Sequence, residues 1–290
     1  MALSALSGDE QGVLFVQLCN VLDPGIAVAL SSVSNELRAA TRAPLQQLKT
    51  GHEAAAALCR KLGHRNCKAL REATVVDCNN KGLTADELKL LGTLGSLLPA
   101  LEELHLSEAA AGPEGMQQLA EKLGAGALPA VIVLQLIGTH VSETGALALA
   151  AALGRDALPR LEHLYLARTA IGDAGLVALA PALRRLPALE YLNLMNNPFG
   201  DEGLAALVAP PPPAGAPPPT TGGLAKLKRI DLSHTQITNA GCATLAGALS
   251  SGALPALEFL SLGSIHASDA AIGALRAARP RLVVNHQPPF

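Results

Sequence analysis

The side chains that could do chemistry in this chain are few and scattered. Its five cysteines are Cys19, Cys59, Cys67, Cys78 and Cys242. The count is odd and no C-x-x-C pair occurs, so neither a disulfide framework nor a zinc cluster is expected, and a reducing, cytoplasmic compartment suits them. The eight histidines are dispersed as well. His105 and His163 would lie two strands apart, about 10 Å, too far to share a metal. There is no Gly-rich phosphate loop, H-E-x-x-H or G-x-S-x-G motif, so no catalytic, cofactor or metal residue is assigned and a non-enzyme is expected. The informative side chains are the rare aromatics, which make up 2% of the 290 residues, with two Tyr and no Trp. Tyr165 and Tyr191 sit inside two copies of one motif, LEHLYL at Leu161–Leu166 and LEYLNL at Leu189–Leu194.

Those copies belong to a unit that recurs along the chain. Seven units begin at Ala73, Leu101, Val131, Leu161, Leu189, Leu227 and Leu257, spaced 28, 30, 30, 28, 38 and 30 residues apart. Apolar residues occupy the fourth and sixth positions, as in Leu164/Leu166, and the eleventh, as in Ile171 and Phe199. A small residue, mostly Gly, stands at the fifteenth position and Leu at the nineteenth. Pro falls two residues before most units (Pro99, Pro129, Pro159, Pro187, Pro255), where it stops a helix and biases the chain to extended structure. The hydrophobic period switches from 2 to 3.6 inside each unit, so each is a strand, a turn and a helix. Such a strand gains shelter only when its neighbours stack. Acidic residues mark the helix starts (Asp86/Glu87, Glu114, Glu143, Asp173, Asp201/Glu202, Asp269), which suits the positive end of the helix dipole.

The pattern over about residues 73–285 resembles the leucine-rich repeat, in the longer helical form of ribonuclease inhibitor and the Ran GTPase-activating protein. The clearest copy is LEYLNLMNNPFGDEGLAALV, Leu189 to Val208. The resemblance implies an α/β solenoid, a horseshoe with a parallel β-sheet on the concave face and α-helices on the convex face. The usual Asn of the turn is kept at Asn197, whereas Thr139, Thr169 and Thr235 replace it elsewhere and Ala109 and Ile265 predict looser turns. GTPase activators of the family carry a catalytic Arg on loops such as the one holding Arg168. No matching motif accompanies it, so this is the weakest of the functions implied. The interval from Pro210 to Gly223 holds two proline runs and lengthens its repeat; it is expected to be a surface insertion, and the absence of nearby Arg or Lys argues against a polyproline ligand.

Residues 1–72 carry no repeat and are expected to form a helical N-terminal cap of about three helices. Leu14, Leu18 and Leu22 predict the first; Asp23-Pro24 starts a second with an Ile26, Leu30, Val33, Leu37 stripe; Thr50-Gly51-His52-Glu53 reads as a capping box for a third. The stretch GVLFVQLCNVLDPGIAVALSSVSNELRAAT resembles an F-box, with its L-D-P turn at Leu22-Asp23-Pro24, although the Leu-Pro opening is missing. That resemblance implies a Skp1-type adaptor as partner and a role as the substrate-recruiting subunit of a ubiquitin ligase.

If the strands align, residues at the third, fifth and seventh positions face away from the helices. Tyr165, Tyr191, His163, Asn193 and Met195 then form one patch, flanked by Arg168, Arg229 and Asp231, with Phe259 in the same rows. Exposed aromatics are the residues that favour protein interfaces. With a net charge of −2, nothing points to nucleic acid or an anionic membrane. The expected function is therefore a monomeric protein–protein interaction module that binds a protein on the concave face.

Overall fold

The computed structural model describes residues 20–32, 35–107, 112–208 and 224–287, with the backbone alone at residues 30 and 35–40. The chain divides into two compact units, Met1–Ala73 and Thr74–Phe290. In the first unit three helices are described: α1 (Gly25–Ser31), α2 (Asn35–Lys61) and α3 (Cys67–Arg71). The expected helix through Leu14 and Leu18 lies outside the described residues.

Three features of this unit depart from the sequence reading. Leu22 is in a turn rather than on a helix, because the Asn20 carbonyl and side chain accept the Asp23 and Leu22 N–H groups (2.9 and 2.8 Å). α1 buries Ala27 against Leu48 and leaves Val28 exposed together with Ile26, the first residue of the predicted apolar stripe, while the side chains of Leu30, Val33 and Leu37 lie outside the described residues. No helix starts at Thr50. α2 runs straight through it, and the Thr50 hydroxyl donates back to the Gln46 carbonyl (3.1 Å), a bond available only inside a continuous helix.

The second unit repeats one motif. Its strands are β1 (Val75–Asp77), β2 (Glu103–His105), β3 (Val133–Gln135), β4 (His163–Tyr165), β5 (Tyr191–Asn193), β6 (Arg229–Asp231), β7 (Phe259–Ser261) and β8 (Val283–Asn285). They form one parallel sheet in chain order. Between them run α4 (Ala85–Leu94), α5 (Gly112–Lys122), α6 (Ser142–Gly154), α7 (Asp173–Leu183), α8 (Asp201–Val208), α9 (Asn239–Ser250) and α10 (Asp269–Ala278). The register is unbroken: His163 pairs with Tyr191, Tyr191 with Arg229, and Arg229 with Phe259, although the Pro210–Gly223 insertion, outside the described residues, falls between β5 and β6. Each strand buries its central residue, and the sixth-position side chain just past it, from Cys78 to Leu262, is buried too. The eleventh- and nineteenth-position residues, among them Ile171, Phe199, Leu179 and Leu207, close the same core from the turn and the helix. The architecture is the α/β leucine-rich repeat solenoid. No helix among the described residues is long and apolar enough to cross a membrane.

Proline acts here differently from the expectation. Leu128, Leu158 and Leu254, each directly before a Pro, have positive φ of 52°, 59° and 51°. Each accepts a hydrogen bond from the residue three further on (Val131, Leu161 and Leu257, at 3.1–3.2 Å), so Pro occupies the second place of a β-turn that reverses the chain from helix to strand. Burial of each Leu below 4% exposure offsets the cost of the left-handed backbone.

Polar side chains stitch the units along a second line. The Asp173 carboxylate accepts the N–H groups of Gly200 (2.9 Å) and Gly203 (2.7 Å) in the next repeat. Asp201 accepts the Thr238 N–H (2.8 Å) and hydroxyl (2.6 Å), and the Asn239 amide oxygen accepts the Ser268 N–H (2.7 Å). Thus the acids at the helix starts do more than meet a dipole: they cap the following helix. This also explains two of the fifteenth-position glycines, because a Cβ would stand 2.9 Å from Asp173 Oδ1 at Gly203 and 2.2 Å from Asp201 Oδ1 at Gly241. Gly247, in the middle of α9, faces open space instead. Accordingly, Gly241→Ala should lower unfolding stability by about 1–3 kcal/mol. Gly247→Ala should raise it by about 0.5–1 kcal/mol. Urea titration of the two variants checks both signs.

Candidate functional site

With all inner strands paired on both edges, the face of the sheet opposite the helices can offer only side chains to a ligand. Register places them in rows. Tyr165 and Tyr191 meet edge to face, centroids 5.0 Å apart at 67°, and His163 lies 6.1 Å from Tyr191. Arg229 and Phe259 continue the third-position row, both exposed, with Phe259 at 36%. Beneath them Asp231 faces the same side at the fifth position. A groove of ≈ 570 Å³ runs over β4–β7, lined by His163, Tyr165, Tyr191, Arg229, Asp231 and Phe259 together with Glu190, Lys228, Glu258, Ile230 and Ser261.

Six of the nine predicted residues therefore converge on one groove. Three do not line it. Asn193 is 9% exposed and serves the fold: its oxygen accepts the Met195 N–H (3.0 Å) and its amide donates to the Tyr191 hydroxyl (3.3 Å). Met195 is half-buried at the strand end. Arg168 is exposed in the turn after β4, held at φ 58° by its N–H bond to the Met195 carbonyl (2.9 Å). Asp231 has a double role, since it also accepts the Ser233 N–H (2.9 Å) to form the turn.

The second-position residues Glu190, Lys228 and Glu258 were missed by considering odd positions alone. Their signal was present in the sequence: charges recur at that position in Glu102, Glu162, Glu190, Lys228 and Glu258. Lys228 and Glu190 form an ion pair at 2.7 Å. The Lys228 hydrogen bond holds the Glu190 carboxyl below the usual carboxylate range, and Glu190 in turn raises the Lys228 ammonium. The Tyr191 phenol is pushed up, first by burial and then by the nearby Asp231 carboxylate and Tyr165. On β2 a separate pair, Glu103 and His105, meets at 3.1 Å.

Comparison with known proteins supplies the class. The leucine-rich repeat family model matches residues 158–180, 186–208 and 223–246, which include β4, β5 and β6 of the groove. The matched segments are leucine-rich repeats, and domains of such repeats are in general protein-interaction modules. No curated protein sequence matches it. Similar solved structures include an internalin from Listeria monocytogenes, 15% identical with a TM-score of 0.37 over 68% of this chain and 49% of that one. TLR13, solved in complex with ssRNA13, is 18% identical with a TM-score of 0.42 over 78% of this chain and 31% of its own. A Bacteroides fragilis protein is 14% identical with a TM-score of 0.36 over 82% and 71%. The chain thus spans about half the length of the internalin and about a third of TLR13.

Because Glu190 is depressed, its pairing with Lys228 favours the folded state at neutral pH, and that contribution is lost as pH falls through the folded-state value. In a carboxyl-detected NMR titration Glu190 should protonate below an ordinary Glu, and Lys228→Met should move it upward. An unchanged Glu190 in that variant would count against the pair.

Proposed function

We propose that this chain is a non-enzymatic binding module that captures a protein partner through the open sheet face over β4–β7. The observation that carries the reading is the use of aromatics. Both tyrosines of the chain and an exposed Phe259 stand around one groove, next to Arg229, whose guanidinium is exposed. Aromatic and Arg side chains are the residue types that most often dominate binding energy at interfaces. The Tyr165–Tyr191 contact fixes both rings in advance, which lowers the entropy cost of docking on them. The contact set is His163, Tyr165, Tyr191, Arg229, Asp231 and Phe259, extended by Glu190, Lys228 and Glu258. The four described cysteines are free and buried, which supports a reducing, cytoplasmic setting.

Affinity capture from a cell extract with mass spectrometry tests this reading. Tyr165→Ala combined with Tyr191→Ala should reduce recovery of the specific partner at least tenfold while the thermal transition moves by only a few degrees, since neither side chain lies in the layered core. Undiminished recovery would refute the assignment of the face.

A second reading has one observation in its favour. In the F-box-like segment, α1 exposes Ile26 at 56% and Val28 at 48%. Two large exposed apolar side chains on a short helix suit an adaptor of the Skp1 type, and the chain would then recruit substrates to a ubiquitin ligase through its open sheet face. Purified adaptor should bind the full chain and lose binding on Ile26→Asp with Val28→Asp. Leu22 is unsuited to this test because it is buried.

A further inference from the structure

Outside the sheet face, the first unit holds a thiol pair that the proposed function does not use. Cys59, near the end of α2, and Cys67, the first residue of α3, touch with sulfurs 3.7 Å apart. They are separated by a tight connection in which the His64 N–H bonds the Cys59 carbonyl (2.8 Å) and Gly63 takes φ 89°. A third group joins them: His52 Nδ1 lies 4.0 Å from Cys67 Sγ and donates its N–H to the Val21 carbonyl (2.7 Å).

We infer that Cys59 and Cys67 form a modification site that a hydroperoxide converts to a reversible intrachain disulfide joining α2 to α3. The sulfurs must close from 3.7 Å to about 2.05 Å, the length of a disulfide bond. The two thiols have different surroundings. Cys67 lies on α3, the helix whose opening exposes it, so it meets the peroxide first. Burial, with Cys67 adding to it, pushes the Cys59 thiol up to about 12, so Cys59 stays protonated until a sulfur electrophile is beside it. The Cys67 sulfur attacks one peroxide oxygen and the O–O bond breaks, giving Cys67 sulfenic acid and hydroxide. The Cys59 sulfur then attacks the sulfenic sulfur and displaces the second hydroxide. Both hydroxides take up the two thiol protons, so two thiols and one hydrogen peroxide become one disulfide and two waters, with two electrons passing to the peroxide. Both thiols are buried, so reaction proceeds through local opening of α3, a five-residue helix with one side-chain cap bond, from the Ala69 N–H to Asn66 (2.8 Å). A cytoplasmic thiol pool reverses it.

The test uses the full chain, hydrogen peroxide, alkylation under denaturing conditions and peptide mass mapping. The expected result is a Cys59–Cys67 cross-linked peptide, 2 Da lighter than the reduced pair, that dithiothreitol abolishes, while the buried Cys78 and Cys242 remain alkylatable. Cys59→Ala should leave Cys67 as a sulfenic acid that a dimedone probe captures, and Cys67→Ala should leave Cys59 unlabelled by the probe. Full alkylation of Cys59 and Cys67 after peroxide would overturn the proposal. So would pairing of either with Cys19, or equal oxidation of Cys78 and Cys242.

Discussion

A strand of three residues cannot hold itself, and every strand of this sheet is three residues long. What keeps the second unit folded is therefore lateral: each repeat borrows its order from the repeats on either side. Backbone pairing in strict register supplies one line of attachment, and the buried fourth- and sixth-position side chains supply a second. The third is polar. Asp173, Asp201 and Asn239 reach from the start of one helix to the N–H groups that open the next, and Asn197 spans β4 and β5 with bonds to Thr169, Ile171, Leu166 and Leu194. Arginines do the same at the opposite helix ends, where Arg155 donates to the Leu123 carbonyl (3.0 Å) and Arg279 to the Ala253 carbonyl (2.9 Å). Stability in such an array is a sum of neighbour terms rather than the property of one central core.

The candidate site follows from the same constraint. Because the inner strands spend all their backbone groups on one another, recognition is left to whatever side chains the register brings into line. Tyr165 and Tyr191 are 26 residues apart in sequence and touch because His163 pairs with Tyr191 and Tyr165 with Asn193. Arg229 joins them across a long insertion for the same reason. Asn193 and Asp231 show the limit of the scheme. They point toward the open face, yet each uses a carboxamide or carboxylate oxygen to shape the turn that follows its strand.

The repeat, its strand rows and its core were legible in the sequence because they are statements about period, and a period repeated seven times is hard to mistake. What escaped were single events. Thr50-Gly51-His52-Glu53 has the letters of a capping box, but a helix already under way can absorb Thr and Gly at a small cost. The Leu-Pro dipeptides were expected to be extended; a buried Leu can occupy the left-handed region when tertiary packing favours it. The glycines at the fifteenth position looked like a simple preference for small residues, whereas the reason for Gly203 and Gly241 is a carboxylate arriving from the previous repeat, a partner that local sequence does not reveal. Glu190, Lys228 and Glu258 were overlooked because alternation was followed too literally at the strand entrance.

The uninterrupted pairing of β5 with β6 has a further consequence. The ladder neither gains nor loses a step across the segment from 209 to 223, so the length of chain between Val208 and Leu224 is decoupled from the spacing of the repeats. Closing a longer excursion costs only logarithmically more entropy. The junction after α8 is thus a natural port: a place where evolution, or an engineer fusing a reporter, can add material to the solenoid while the rows of side chains on the opposite face stay in line.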